Sequence, residues 1–465
     1  MGDVSTTAKL TFCGAARGVT GSCYHLSTPD GAIVIDCGTF QGGKDPDALN
    51  RKPLPFDPEQ VVGAVLTHGH LDHVGRLPML VKQGFDGPVL GHSATLDIGK
   101  IIMQDTAKLG LLAGTKPMYT DADVEQTMDQ TIRLAYGDKR QLGPFTVQIF
   151  DAGHILGSSS VRVSWQEGGG ERAVLFSGDL GVLDTPIIRD PFAAWNPDEH
   201  QVDFVVTEST YGSRAHPARL EARKKFRDAV VHAVSDGGKV LIPAFAIGRT
   251  QEVLYELNTL VEGGQLKGIP VIVDGPLGLE ATRIYDKHRD CYDEDAMELL
   301  SSGDVPLEFT NLFAAERRRS SEAARSIDGP AIIVAGSGMC SGGRILAHLA
   351  EYLPDPRTDV IFVGYQAHKT LGRDLQQGKD IVNIDGRKVE VRAVITTITG
   401  FSAHADRAAL AGWFGRVPRK PGGAVFVTHG EEKASRSYAR LLKDRYGARA
   451  IIPALGDTAA LLMRS

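Results

Sequence analysis

The chain has 465 residues, more than one hydrophobic core usually fills, which argues for two domains. Apolar residues make up 42 % and charged residues 23 %, ordinary for a soluble globular protein, and no apolar run approaches the ~20 residues that span a bilayer, so no membrane association is expected. The net charge of −6 does not announce a nucleic-acid binder, although positive charge gathers locally at Arg317-Arg318-Arg319 and along Lys433, Arg436, Arg440, Lys443 and Arg445. The five cysteines are odd in number and never form a CxxC pair, so they read as reduced thiols rather than as a disulfide frame or a zinc knuckle. The start, Met1-Gly2-Asp3-Val4-Ser5-Thr6, lacks the basic and apolar regions of a secretion signal, and no basic cluster supports myristoylation. The expected compartment is the cytoplasm.

In chain order, the first two hundred residues read as short apolar strands separated by Gly, Pro and Asp turns, at 10–13, 32–36, 61–67, 147–151 and 173–177. Helical periodicity appears between them at 93–112 and 120–134. From about Pro217 the units lengthen and alternate: a helix at 219–235, a strand at 240–243, a helix at 248–261 and a strand at 270–274. Further strands at 331–335 and 359–364 each run into a glycine-containing loop. Such alternation predicts a parallel sheet. Short strands return at 388–394 and 424–428, followed by a helix near 435–446. The simplest organisation is a β-rich domain in two parts, residues 1–207 and 379–465, interrupted by an α/β insert over 208–378.

The chemistry concentrates at His68-Gly69-His70-Leu71-Asp72-His73, directly after the strand at 61–67. Three imidazoles and a carboxylate on a strand-to-loop corner can turn towards one point, and these are ligand types that suit zinc. Three more candidates also follow apolar strands: His154 after 147–151, Asp179 after 173–177 and His429 after 424–428. Any one of them alone would more often be a turn or capping residue. Together they are the polar groups a metal site needs at one edge of a sheet, because strand ends on a rigid scaffold place ligands accurately. Eight other histidines (His25, His92, His200, His216, His232, His288, His348 and His368) receive no assignment.

The order HxHxDH, later His, later Asp, final His resembles the metallo-β-lactamase superfamily. Further motifs resemble its β-CASP branch of nucleic-acid-processing enzymes: Glu208-Ser209-Thr210-Tyr211-Gly212, Pro243-Ala244-Phe245-Ala246-Ile247-Gly248-Arg249, and Gly338-Met339-Cys340 with Gly342-Gly343-Arg344. Gly364-Tyr365-Gln366-Ala367 leading to Arg373, and Ser402-Ala403-His404-Ala405-Asp406, complete the set. The resemblance spans essentially the whole chain. It implies a four-layered αββα sandwich carrying an inserted α/β β-CASP domain, in a type without the RNA-binding KH extension of many archaeal relatives. It also implies two zinc ions per chain: His68, His70 and His154 on one, Asp72, His73 and His429 on the other, with Asp179 between them. Asp36 matches the superfamily's first motif and would orient a ligand histidine by accepting its free N–H. Two departures lie in the insert, Asp274-Gly275-Pro276-Leu277-Gly278 and the pair His368-Lys369, and bear on substrate preference rather than on metal chemistry.

The expected activity is hydrolysis of single-stranded RNA, endonucleolytic with a 5′→3′ exonuclease component. Asp72 serves as a ligand within the catalytic set, His404 as proton donor, and Glu208 as the partner that holds the imidazole protonated. Ser402, Tyr211, Arg249, Arg344 and Arg373 are candidate substrate contacts. The other classes left open are a small-molecule zinc hydrolase of lactamase or thioesterase type, which the fold would permit, and a catalytically silent RNA-binding scaffold. A homodimer is compatible with the sequence and not specified by it.

Overall fold

The computed structural model describes residues 7–42, 45–112, 114 and 116–463; the residues of the N-terminal targeting question, 1–6, lie outside them. The chain divides into two compact units. The first runs through Leu183 and takes in Asp190–Ala215 and His404–Ser465, and the second comprises Asp184–Arg189 and His216–Ala403.

Two seven-stranded sheets build the first unit. In spatial order one holds Thr458–Ala460, Lys9–Phe12, Tyr24–Thr28, Gly31–Ile35, Val61–Val65, Val89–His92 and Thr131–Leu134. The other holds Arg449–Ile451, Ala424–Val427, Phe204–Thr207, Gly170–Phe176, Ser159–Glu167, Phe145–Asp151 and Lys139–Leu142. Alternation along the strands turns one face of each sheet towards the other, so Leu10, Phe12, Ile33 and Val65 share a dry core with Val147, Val161, Phe176 and Phe426. The outer face of the first sheet is covered by helices Leu77–Lys82, Ser93–Leu112 and Asp121–Asp129, which add Leu80, Met103 and Val124 to a second core. Helices Arg407–Arg416 and Glu432–Tyr446 cover the other sheet through Leu410, Phe414, Tyr438 and Leu442. The result is the αββα sandwich.

One predicted helix breaks in two. Residues 120–134 form the helix Asp121–Asp129, opened by a Thr120/Asp123 capping box, and then the strand Thr131–Leu134. The β-branched pair Thr131-Ile132 pairs in parallel with Val89–Leu90, and sheet pairing outweighs the helical spacing there.

The second unit contains a six-stranded parallel sheet in the order Leu312–Ala315, Val271–Asp274, Ala331–Ala335, Lys239–Pro243, Asp359–Phe362 and Val394–Thr397. Helices such as Arg219–Ala233, Arg249–Glu262 and Ile345–Tyr352 connect the strands. This unit ends at Ala403, beyond the expected return at 379. The predicted strand at 388–394 belongs to it too: Arg387–Glu390 forms a hairpin with Ile381–Ile384, and Val394–Thr397 pairs in parallel with Asp359–Phe362.

Candidate metal centre

Every sequence-predicted ligand lies in the first unit, and four of them stand just past the carboxyl end of a strand. His68 follows Val61–Val65, His154 follows Phe145–Asp151, Asp179 follows Gly170–Phe176, and His429 follows Ala424–Val427. Glu208 ends the neighbouring strand Phe204–Thr207. That strand pairs in parallel with Ala424–Val427, Val205 opposite Val425, so two segments far apart in sequence deliver Glu208 and His429 side by side. His70 begins the short helix Leu71–Val74, which carries Asp72 and His73. Gly69 is required by close approach: a Cβ there would stand 2.5 Å from Ile98 Cγ2 on the helix Ser93–Leu112.

The side chains converge in two groups. His68, His70, His154 and Asp179 form one, and Asp72, His73 and His429 form the other. In the first, His68 Nε2 lies 3.1 Å and His154 Nε2 3.3 Å from His70 Nδ1. In the second, His73 Nε2 lies 3.3 Å from His429 Nε2, which is 3.5 Å from Asp72 Oδ2. Asp179 sits between the groups, its Oδ2 3.6 Å from His68 Nε2 and 3.4 Å from His73 Nε2.

The outer nitrogens assign the tautomers. His73 Nδ1 lies 2.7 Å from Asp36 Oδ2, so Nδ1 is the nitrogen that donates to the carboxylate and Nε2 the one turned towards His429 and Asp179. Asp36 is held in turn by the Thr67 amide and hydroxyl, each donating over 2.7 Å. With its proton given to Asp36, Thr67 Oγ1 accepts from His68 Nδ1 at 3.1 Å. Thr210 Oγ1 donates to the His429 carbonyl at 3.0 Å and lies 3.1 Å from His429 Nδ1, which fixes the last ring likewise. Asp36 and His429 both occupy the left-handed region, at φ 58° and 45°, where side chains other than Gly are strained. Asp36 stays there because its N–H donates to the Val65 carbonyl and its carboxylate accepts from the Thr67 amide, and His429 because its N–H donates to the Ala15 carbonyl.

These residues fit two dications. Tetrahedral zinc with Zn–N bonds of about 2.0–2.1 Å separates its ligand nitrogens by roughly 3.3 Å, close to the distances found. Asp36, Asp72, Asp179 and Glu208 bring four carboxylates into one site, three of them buried, an arrangement that calls for compensating positive charge. Asp179 Oδ1 is buried and accepts no hydrogen bond, although His429 Nδ1 stands 3.4 Å away. Burial pushes the His68 and His70 pKa values down, His70 to about 4, and Asp179 does not outweigh it, so both rings are neutral and ready to ligate. At His73 burial also acts downward, but Asp179 and Asp36 outweigh it and hold the ring well above the usual histidine range, as they would favour a metal cation. Asp72, despite burial, is pulled down to about 2 by His429 and His73.

His404 stands beside the ligands. The Ala405 amide donates to the Leu180 carbonyl at 2.7 Å, which ties the segment to Asp179. His404 Nδ1 lies 3.4 Å from Glu208 Oε1 and 3.8 Å from Asp179 Oδ2. Burial lowers its pKa, yet Glu208 and Asp179 prevail and raise it to about 9. Glu208 is positioned by accepting from the Leu180 amide at 2.6 Å and, over 3.3 Å, from the Thr210 amide. The Tyr211 ring centre is 6.3 Å from that of His404.

The proposed substrate contacts fare differently. Arg249 is buried and paired with Glu252 at 3.0 Å, and Arg344 donates to Asp274 and to the Ala315 and Glu316 carbonyls, each at 2.6 Å. Both guanidiniums are therefore engaged by acids and carbonyls of the second unit rather than presented for phosphate. Ser402 also belongs to that unit, where its carbonyl accepts from Arg219 at 3.2 Å. Arg373 is exposed on the helix Leu371–Gln376. Sequence reasoning missed Thr67 and Thr210, whose only signal was adjacency to His68 and to Glu208-Ser209.

Residues 16–244 match the family model of the metallo-β-lactamase superfamily, and residues 250–375 that of the Beta-Casp domain. Residues 388–453 match a model described as the Zn-dependent metallo-hydrolase RNA specificity domain. The chain is 37 % identical to ribonuclease TTHA0252 of Thermus thermophilus over 434 residues, covering 93 % of this chain and 96 % of that one. The chain belongs to the β-CASP branch of the metallo-β-lactamase superfamily. This β-CASP chain is also 32 % identical over 440 residues to the transcription termination factor FttA of Methanosarcina mazei, covering 92 % of its own length and 67 % of the relative's. A crystal structure of a protein of unknown function from Enterococcus faecalis superposes with a TM-score of 0.59 at 13 % identity, covering 98 % of this chain and 100 % of that one, a likeness of fold alone.

Proposed function

We propose that this chain is a zinc-dependent ribonuclease that hydrolyses phosphodiester bonds of single-stranded RNA, endonucleolytic with a 5′→3′ exonuclease component. The observation that carries the reading is the convergence of two ligand groups on Asp179, with the His404–Glu208 pair beside it. His68, His70 and His154 would hold one zinc ion, Asp72, His73 and His429 a second, and Asp179 both. When bound, two such ions lower the pKa of a water and neutralise charge developing on a phosphate. The chain's own residues supply the rest. Asp36, Thr67 and Thr210 would keep the His73, His68 and His429 rings in the tautomers that present a lone pair to a bound ion. Glu208 and Asp179 keep His404 protonated, and with Nδ1 directed at Glu208, the proton for the leaving oxygen comes from Nε2.

The names of the relatives supply the substrate class, a ribonuclease and a transcription termination factor. The reading extends to the cytoplasm, since all five cysteines are buried thiols outside any disulfide. Among the described residues no helix is long and apolar enough to cross a membrane. A 5′-labelled single-stranded RNA digested beside its circular form tests the activity. Cleavage of both, with duplex RNA spared, is expected. Hydrolysis of a lactam or thioester in preference to RNA would replace this reading with a small-molecule hydrolase.

A further inference from the structure

In the second unit's sheet, the chain leaves Lys239–Pro243 for Val271–Asp274 on one side and leaves Asp359–Phe362 for Val394–Thr397 on the other. Lys239–Pro243 and Asp359–Phe362 are neighbours, Val240 opposite Asp359, so the connections diverge from the crevice between their carboxyl ends. In open α/β sheets such a switch point is where ligands bind.

An aromatic ring lies in this crevice. Phe245 follows Lys239–Pro243 and is 41 % exposed. Its carbonyl accepts from the Thr250 amide at 3.1 Å and the Thr250 hydroxyl at 2.8 Å, which pins the residue. The ring rests on glycine: a Cβ at Gly338 would stand 2.8 Å from Phe245 Cδ2, and one at Gly364 3.8 Å from Cε2. Gln366 Nε2 donates to the Gly338 carbonyl at 2.8 Å and the Gly364 carbonyl at 3.3 Å, joining both glycine loops into one shelf. Tyr365, the next residue on that shelf, is 55 % exposed. His368 and Lys369, the pair that departs from the family pattern, are exposed on the same loop.

A single exposed aromatic is ordinary. Two from the ends of adjacent strands, one seated on a locked glycine floor at a switch point and followed by basic side chains, have the composition of a single-strand nucleic-acid platform. We propose that Phe245 and Tyr365 form a nucleobase-stacking subsite for single-stranded RNA, with Lys369 taking a phosphate that flanks the stacked base. The subsite rests on the ribonuclease reading, which it deepens by stating that one base is held through its face, without regard to its identity.

The test uses the zinc-loaded enzyme and RNAs in which one abasic position is moved along the strand. Wild type is expected to show one or two positions, at fixed distance from the cut, where the missing base lowers kcat/KM by about tenfold, the scale of one lost stack. Phe245→Leu should show the same loss on intact RNA and no further loss at those positions, whereas Phe245→Trp should behave as wild type. Hydrolysis of bis(p-nitrophenyl) phosphate should be unchanged in both variants, which reports an intact metal site. Lys369→Gln should flatten the log–log salt dependence of RNA KM by about 0.7, one single-strand phosphate contact. RNA cleavage with no abasic-sensitive position, or with Phe245→Leu like wild type, would overturn the subsite and leave the ribonuclease reading standing. Failure of the wild type to cleave RNA would overturn both.

Discussion

Asp36 matches the superfamily's first motif by sequence, and in the structure one of its oxygens reaches His73 and the other the Thr67 amide, from a backbone conformation that costs energy to hold. The candidate ligands stood out in the sequence because imidazoles and a carboxylate packed into six residues have few other uses. Thr67 and Thr210 were not, because a threonine beside a histidine is common and only the fold shows where its hydroxyl points. His404→Ala is expected to retain zinc and RNA binding while losing roughly 10²–10⁴-fold in turnover, the usual worth of general acid catalysis. Glu208→Gln should lose less, since it removes the charge that favours the imidazolium and keeps a hydrogen-bonding side chain. Loss of zinc from His404→Ala would make His404 a ligand instead of an acid. His25 makes a separate, pH-dependent contribution. Burial pushes its pKa down to about 4, and its ring stacks on Phe56 at a centroid distance of 4.5 Å. Unfolded, that ring takes up its proton near pH 6.5, so between about 6.5 and 4 the unfolded chain binds more protons and stability falls as pH falls. Unfolding free energies from urea titrations across that window should drop less steeply for His25→Gln, by at most about 1.4 kcal/mol per pH unit. Identical slopes would show that His25 does not titrate this way.

Elements ending in candidate ligands were the easiest to read, because an apolar strand running into His or Asp keeps its polar end out of the core. The edges of the insert were harder. Its last strand, Val394–Thr397, has partly exposed side chains, so its short apolar pattern resembled the returning β-rich domain until its partner Asp359–Phe362 was known. Arginines after glycines suggested phosphate contacts, yet Arg344 instead serves a buried cluster. Asp274 has no exposed side-chain surface and accepts from Arg344 at 2.6 Å and Ser321 at 2.6 Å, with His348 Nε2 at 2.7 Å. A buried carboxylate that loses a partner is costly, and because Arg344 is partly exposed the loss is expected at about 1–3 kcal/mol rather than the full figure for a buried pair. Arg344→Gln should therefore lower the melting temperature of the insert while zinc content stays at the wild-type level. An unchanged melting temperature with weaker, less salt-dependent RNA binding would restore Arg344 to the substrate.

At the scale of the molecule, two layers of strands bring together candidate ligands that the sequence scatters from His68 to His429. The parallel pairing of Phe204–Thr207 with Ala424–Val427 closes the site across the whole inserted unit. The central claim is that Asp179 joins two metal positions on which hydrolysis depends. Zinc stoichiometry by elemental analysis, taken on wild type and Asp179→Ala with RNA turnover of the same samples, tests it most directly. The account predicts two zinc ions per chain and RNA hydrolysis in the wild type, and in the variant at least one position emptied and hydrolysis abolished. Two zinc ions per chain and normal turnover in Asp179→Ala would contradict it.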